Sequence, residues 1–142
     1  MKNEVKLTFL SLSVNEAFAR QTAAAFTAML DPTVDELADI KTAVSEAVTN
    51  CIVHAYRDCI GSIVMTMKCD DNCVTISIKD KGVGIPDVRK AMEPCFTTAP
   101  SEERSGMGFT VMEAFCDKVR VSSKEGKGTR VTLKKYIGSK KA

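Results

Sequence analysis

The chain has 142 residues, 44% of them hydrophobic and 27% charged, with a formal net charge of +2. That is the size and make-up of one globular domain with a core of its own, which excludes a collagen-like or disordered chain. The charge is too small to argue for nucleic acid, and no run approaches the ~20 apolar residues of a membrane span.

Residues 4–14 read as a strand, yet Val5, Leu7 and Phe9 share one face and Leu10, Leu12 and Val14 the other. A strand with one solvated face does not do that, so either a bulge re-aims the chain or both faces are covered. A partner subunit is one way to cover the second. Residues 15–30 carry helical spacing, with Phe18, Thr22, Ala25, Phe26, Met29 and Leu30 on the packing side, and Asp31-Pro32 stops that helix. Thr33-Val34-Asp35-Glu36 fits a capping box. The helix it starts runs to about residue 55 on a stripe of Leu37, Ile40, Val44, Ala47, Val48, Cys51 and Ile52. Two alternating segments, 62–69 and 73–79, are joined by the turn Asp70-Asp71-Asn72. A short helix over 87–93 precedes an irregular polar stretch, 94–107, long enough to be a functional loop. A helix over 108–116 and strands over 118–123 and 129–136, parted by Glu125-Gly126-Lys127-Gly128, complete the chain. The order fits one domain over 1–142, an α/β two-layer sandwich with helices on one face of a mixed, mostly antiparallel sheet.

Six cysteines, Cys51, Cys59, Cys69, Cys73, Cys95 and Cys116, form no C-x-x-C pair and have one histidine, His54, in the chain with them. That pattern argues against zinc and for a reduced, cytoplasmic protein. Met1 to Lys6 lacks the apolar core of a signal peptide, and Lys134, Lys135, Lys140 and Lys141 read as a solvated tail.

Three short segments carry chemistry. Glu46 and Asn50 lie four apart, so they project from one helix face, off the centre of the apolar stripe. A carboxylate there can accept or orient a proton, and an amide oxygen can ligate a hard cation such as Mg²⁺. Taken alone, the pair is equally two polar residues on a solvated face. Asp80 ends a strand before Gly82 and Gly84. An acid there can accept from the amino group of adenine, whereas guanine offers a carbonyl at that edge; ordinary turn chemistry is the alternative. Gly106 and Gly108 precede Phe109 and a helix, so backbone N–H groups there can meet an anion. Gly126, Gly128 and Thr129 repeat the theme, though a hairpin explains those glycines as well. No P-loop and no dinucleotide fingerprint occurs.

In their order, Glu46 with Asn50, Asp80-x-Gly-x-Gly, Gly106-x-Gly and Gly128-Thr129 resemble the Bergerat ATP-binding fold of the GHKL ATPases and kinases. The resemblance covers nearly the whole chain. The wording of Val44-Ser45-Glu46-Ala47-Val48-Thr49-Asn50, Glu93-Pro94-Cys95-Phe96-Thr97-Thr98 and Glu103-Arg104-Ser105-Gly106-Met107-Gly108-Phe109 is similar to the anti-sigma serine kinases of spore-forming bacteria.

That resemblance implies Glu46 as catalytic base, Asn50 as Mg²⁺ ligand and Asp80 as adenine reader. Gly82, Gly84, Ser105, Gly106, Met107, Gly108 and Thr129 would shape the ATP pocket. Residues 94–107 would form the lid, with Thr97, Thr98 and Arg104 touching phosphate. The implied partners are a sigma factor, held inactive, and an anti-anti-sigma antagonist that receives the phosphoryl group on a serine. The family acts as a homodimer, with Arg20 a candidate partner contact or simply a solvated cation. Two alternatives remain at this point: the related switch kinase of the general stress response, and a nucleotide-gated sigma-binding module without kinase activity. His54 reads as a packing residue rather than a phosphoacceptor, because the segment before Glu46 holds no histidine.

Overall fold

A computed structural model describes residues 1–93 and 108–138. Thr97, Thr98, Arg104, Ser105, Gly106 and Met107, with the rest of the expected lid and the last lysines, lie outside the described residues. Five strands form one sheet in the order β1-β2-β3-β5-β4: β1 (Lys2–Leu10), β2 (Ser62–Asp70), β3 (Cys73–Asp80), β4 (Lys118–Lys124) and β5 (Gly128–Tyr136). Every pairing is antiparallel, so the described sheet contains no parallel pair where a mixed one was expected.

Helices α1 (Val14–Ala28), α2 (Val34–Asn50) and α4 (Phe109–Phe115) lie in the second layer, and α3 (Val88–Ala91) is a single turn. α2 is the central helix, packed against both α1 and α4. Its start is the expected capping box: Thr33 Oγ1 accepts from the Glu36 N–H at 3.1 Å, and Glu36 Oε1 accepts from the Thr33 N–H at 2.9 Å. The buried Glu36 carboxylate also accepts from the Gly138 N–H, so one side chain caps the helix and ties it to the chain beyond β5. The core is the alternating inner face of the sheet, including Met65, Ile76, Ile78 and Leu133, pressed on Ile40, Val44 and Val48 of α2. Each such large apolar side chain contributes roughly 1.5–3 kcal/mol on burial.

Three expectations need correction. The run 4–14 is neither bulged nor a single strand. β1 ends at Leu10, where the Ser11 N–H bonds to the Gly61 carbonyl and Ser11 Oγ accepts from the Gly61 N–H. Leu12 lies in the turn that follows and Val14 opens α1, so the shift of phase is a change of element. α1 presents a face only partly the one expected: Phe26 is buried and Leu30 packs on the core, but the rest of the buried face is Ala19, Ala23, Ala24 and Thr27, whereas Phe18 is 56% exposed and Met29 48%. Small residues let α1 approach its neighbours closely, and Phe18 and Met29 turn outward. Finally, Lys135 is not part of a solvated tail. It is 4% exposed, and its Nζ donates to the Phe115 carbonyl at 2.7 Å and pairs with Asp39 at 3.3 Å, joining β5, α4 and α2.

Candidate functional site

The regular turns of α2 stop at Asn50, and the next five residues, Cys51–Ala55, form a π-helical turn. Such insertions re-aim side chains and recur at functional sites. Here the turn buries Cys51, His54 and Ala55. Together with Asn50, Asp80, Gly84 and Thr129 they line a cavity of about 220 Å³ whose walls are otherwise largely apolar, from Ala47, Ile85, Phe109 and Val131. Four sequence-selected residues from three separate segments thus meet in one place.

Asp80 sits at the inner end of β3 and is 4% exposed. Its carboxylate is held on both oxygens. Oδ1 accepts from the Gly82 N–H at 2.9 Å and the Thr129 N–H at 3.3 Å, and Oδ2 accepts from the Cys51 thiol at 3.4 Å. Burial pushes the Asp80 carboxyl above the usual aspartate value, against the opposing pull of Gly82, Cys51 and Thr129. The result is a pre-aimed acceptor with lone pairs left for a ligand's donor. Burial, reinforced by the Asp80 charge and bond, pushes the Cys51 thiol well above its ordinary value and keeps it protonated as a donor.

The turn after β3 is fixed by Tyr56, whose hydroxyl accepts from the Lys81 N–H at 2.7 Å and donates to the Ser62 carbonyl at 2.8 Å. Gly84, at φ +78°, lies so near the Lys124 carbonyl that a side chain would collide with it. On the far wall, the Ser123 hydroxyl donates to the Gly128 carbonyl at 3.0 Å. The 2.7 Å contact between Ser123 and Thr129 is then donated by Thr129.

Glu46 is a half-buried residue one helical turn before Asn50, and it does not line this cavity. It borders a neighbouring shallow depression with Arg20, Lys41, Thr42 and Ser45. Gly108 adjoins it: at φ +77°, a side chain there would run into Glu46 Oε1. The catalytic candidate and the partner-contact candidate therefore share a depression, although their helices were read separately. Arg20 is not a lone cation, since its Nε bonds to Glu16 at 2.9 Å. Burial raises the Glu16 carboxyl, but the Ser45 hydrogen bond and Arg20 outweigh it and leave the group below its ordinary value.

His54 lines the cavity as a 3% exposed wall residue, which agrees with a packing role. Spacing puts Cys51 on the apolar stripe but gives no sign of its bond to Asp80, because a contact across 29 residues leaves no periodic trace. Among the described residues, no group of three or more His, Cys, Asp or Glu stands ready to hold a metal by itself. No described helix is long and apolar enough to cross a membrane.

Comparison with known proteins places this architecture. The Histidine kinase-like ATPase domain family matches residues 9–135. An Anti-sigma F factor of Caldanaerobacter subterraneus subsp. tengcongensis is 60% identical over 136 residues, covering 96% of this chain and 95% of the relative. One from a Geobacillus species is 56% identical, covering 100% and 98%. Among solved structures, the RsbU and RsbW domains of a Mycobacterium tuberculosis protein share the fold at TM-score 0.68 and 20% identity, over 95% of this chain and 32% of that one. The catalytic domain of the histidine kinase ThkA does so at TM-score 0.60 and 18% identity, over 94% and 96%. With its family matched over most of its length and its relatives alike from end to end, the chain belongs to the histidine kinase-like ATPase domain family, in the group of the anti-sigma F factors.

Proposed function

We propose that the chain is an ATP-dependent protein serine kinase and anti-sigma factor of the bacterial cytoplasm, acting in sporulation. It would hold a sigma factor inactive and phosphorylate a serine of its anti-anti-sigma antagonist. The observation that carries the reading is Asp80: a buried carboxylate, fixed by three donors, in the wall of a cavity that Asn50, Gly84 and Thr129 share. A carboxylate so held accepts a hydrogen bond from the amino group of adenine and rejects the carbonyl of guanine, a discrimination of about 1–3 kcal/mol. Gly84 leaves the backbone open to a flat base.

Asn50 lines the same cavity, and with no metal cluster among the described residues a Mg²⁺ ion there would lean on the Asn50 amide oxygen, water and phosphate. ATP with Mg²⁺ supplies the transferable γ-phosphoryl group and its charge neutralisation. Glu46, one turn along α2, is the chain's own base: it orients the serine hydroxyl and takes its proton. Arg20 and Lys41 flank Glu46, so an incoming antagonist would meet two cations beside the base. Thr97, Thr98 and Arg104 are assigned to the phosphates, and Ser105, Gly106 and Met107 to the shape of the ATP pocket, by family resemblance alone. The homodimer rests on that resemblance too, with support from the apolar surface that Leu10, Val14 and Phe18 expose in a single chain.

The place of Glu46 outside the shared cavity favours one rival, a nucleotide-gated sigma-binding module without transfer chemistry. Incubation with γ-labelled ATP, Mg²⁺ and the purified antagonist separates the two. The kinase reading requires label on an antagonist serine, and ATP binding without any transfer leaves the gated module.

A further inference from the structure

The face of the sheet turned away from the helices divides into two halves of different electrostatic character. On β1 and β2, two outward pairs are of opposite sign, Lys2 with Asp70 and Glu4 with Lys68, and the remaining outward charge, Lys6, faces Thr66. On β3, β5 and β4 the charged pairs are of like sign. Lys79 stands directly opposite Arg130, and Lys118 directly opposite Lys134. With Arg120 and Lys124, these are all the charged residues at the outward positions of the three strands, and all six are basic. Among the described residues, Lys79, Arg120 and Arg130 take part in no ion pair. Lys134 has the ring of Tyr136 at 5.6 Å for partial compensation.

Like charges directly opposite one another destabilise a ladder. Two such pairs on one face, where threonine would serve the sheet better, are the kind of local rule-breaking that accompanies function rather than folding. The chain as a whole carries +2, so these six leave −4 on the rest of the molecule. The positive charge is therefore concentrated on one strip, on the opposite side of the sheet from the Asp80 cavity.

We propose that the outward face of β3, β5 and β4 is a docking surface for an acidic segment of a protein partner. The sign of the charge selects an acidic occupant and rejects a second copy of this chain, whose own strip would be repelled. The strip is three strands wide, about 10 Å, which is the breadth of one α-helix. Apart from Tyr136 at one end, its outward positions hold no aromatic ring on which single-stranded bases would stack. This surface is independent of the nucleotide reading.

The test uses the full chain and a fluorescein-labelled helical peptide rich in glutamate, followed by anisotropy at low salt. The double variant Lys79→Thr, Arg130→Thr is expected to bind the peptide about five- to tenfold more weakly, while Lys68→Thr, on the compensated half, stays within about twofold. Each single variant, Lys79→Thr or Arg130→Thr, should also raise the thermal midpoint by about 1–3 °C at low salt and lose that gain at ~1 M salt, because a repulsion has been removed. Weaker docking in a more stable protein is the signature of a surface kept for binding. No binding by the parent, unchanged affinity in the double variant, or midpoints that fail to rise would overturn the proposal. A short DNA duplex that binds more tightly than the peptide, with the same sensitivity to the double substitution, would assign the strip to nucleic acid instead.

Discussion

Replacing Asp80 by asparagine changes one atom at the centre of the cavity. In the parent, Oδ1 satisfies the Gly82 and Thr129 N–H groups and Oδ2 satisfies the Cys51 thiol. An asparagine keeps its single oxygen on the two backbone donors, since leaving both unmet in a buried place would be the larger loss. Its NH₂ then occupies the Oδ2 position and presents a donor to the adenine amino group, itself a donor. One hydrogen bond is lost and an unmatched pair is left behind, worth about 1–3 kcal/mol, so ATP should bind roughly 5- to 150-fold more weakly. Folding should suffer little, because the same substitution removes a buried charge whose ionisation burial opposes. Isothermal titration with ATP and GTP, beside a urea titration of each protein, measures both quantities. An Asp80→Asn protein that binds ATP as tightly as the parent, or a parent that binds GTP equally well, would refute the assignment of Asp80 to adenine.

Other consequences follow from the same contacts. Cys51→Ala should weaken ATP binding a few-fold while Cys51→Ser restores it, because the serine hydroxyl replaces the donor to Oδ2; equal effects of the two would rule out the hydrogen bond as the cause. Burial holds the Asp80 carboxyl above 3.8, and protonation turns one of its two acceptor oxygens into a donor, so ATP affinity should fall on acidification at a higher pH than an ordinary aspartate would give. Stability moves in the opposite sense: between 3.8 and the folded value the native state binds the proton more tightly than the unfolded chain, so the Asp80 contribution declines as pH rises. Comparing parent and Asp80→Asn by calorimetry across that range checks both signs. Lys135→Met should cost about 1–3 kcal/mol in urea unfolding, because the Phe115 carbonyl and Asp39 lose their shared donor. A cost near zero would mean that Lys135 does not bind α4 to α2.

The parts legible in the sequence were those set by local chemistry. The Thr33 and Glu36 capping box and the hairpin around Asp71 each rest on a few adjacent residues, and both appear as expected. Asn50, Asp80, Gly84 and Thr129 line one cavity; each segment alone reads equally as turn or surface chemistry, and only the resemblance of their order to a known family links them. What escaped depends on contacts made by the folded body. Alanines give α1 no apolar contrast, so periodicity favoured Phe18 over the small face that packs. The π-helical turn after Asn50 breaks the 3.6-residue period where the site begins, and the stripe that marks Cys51 as buried carries no trace of its bond to Asp80, 29 residues away. The burial of Lys135 depends on Asp39 and on the end of α4, neither of which is near it in sequence.

The central claim is that the depression holding Glu46 and the cavity holding Asp80 serve one reaction. Glu46→Gln tests it most directly when ATP binding and phosphoryl transfer to the antagonist are measured on one preparation. The account predicts ATP affinity within about twofold of the parent and transfer slowed about 10²-fold or more, as removal of a general base requires. Undiminished transfer would contradict it.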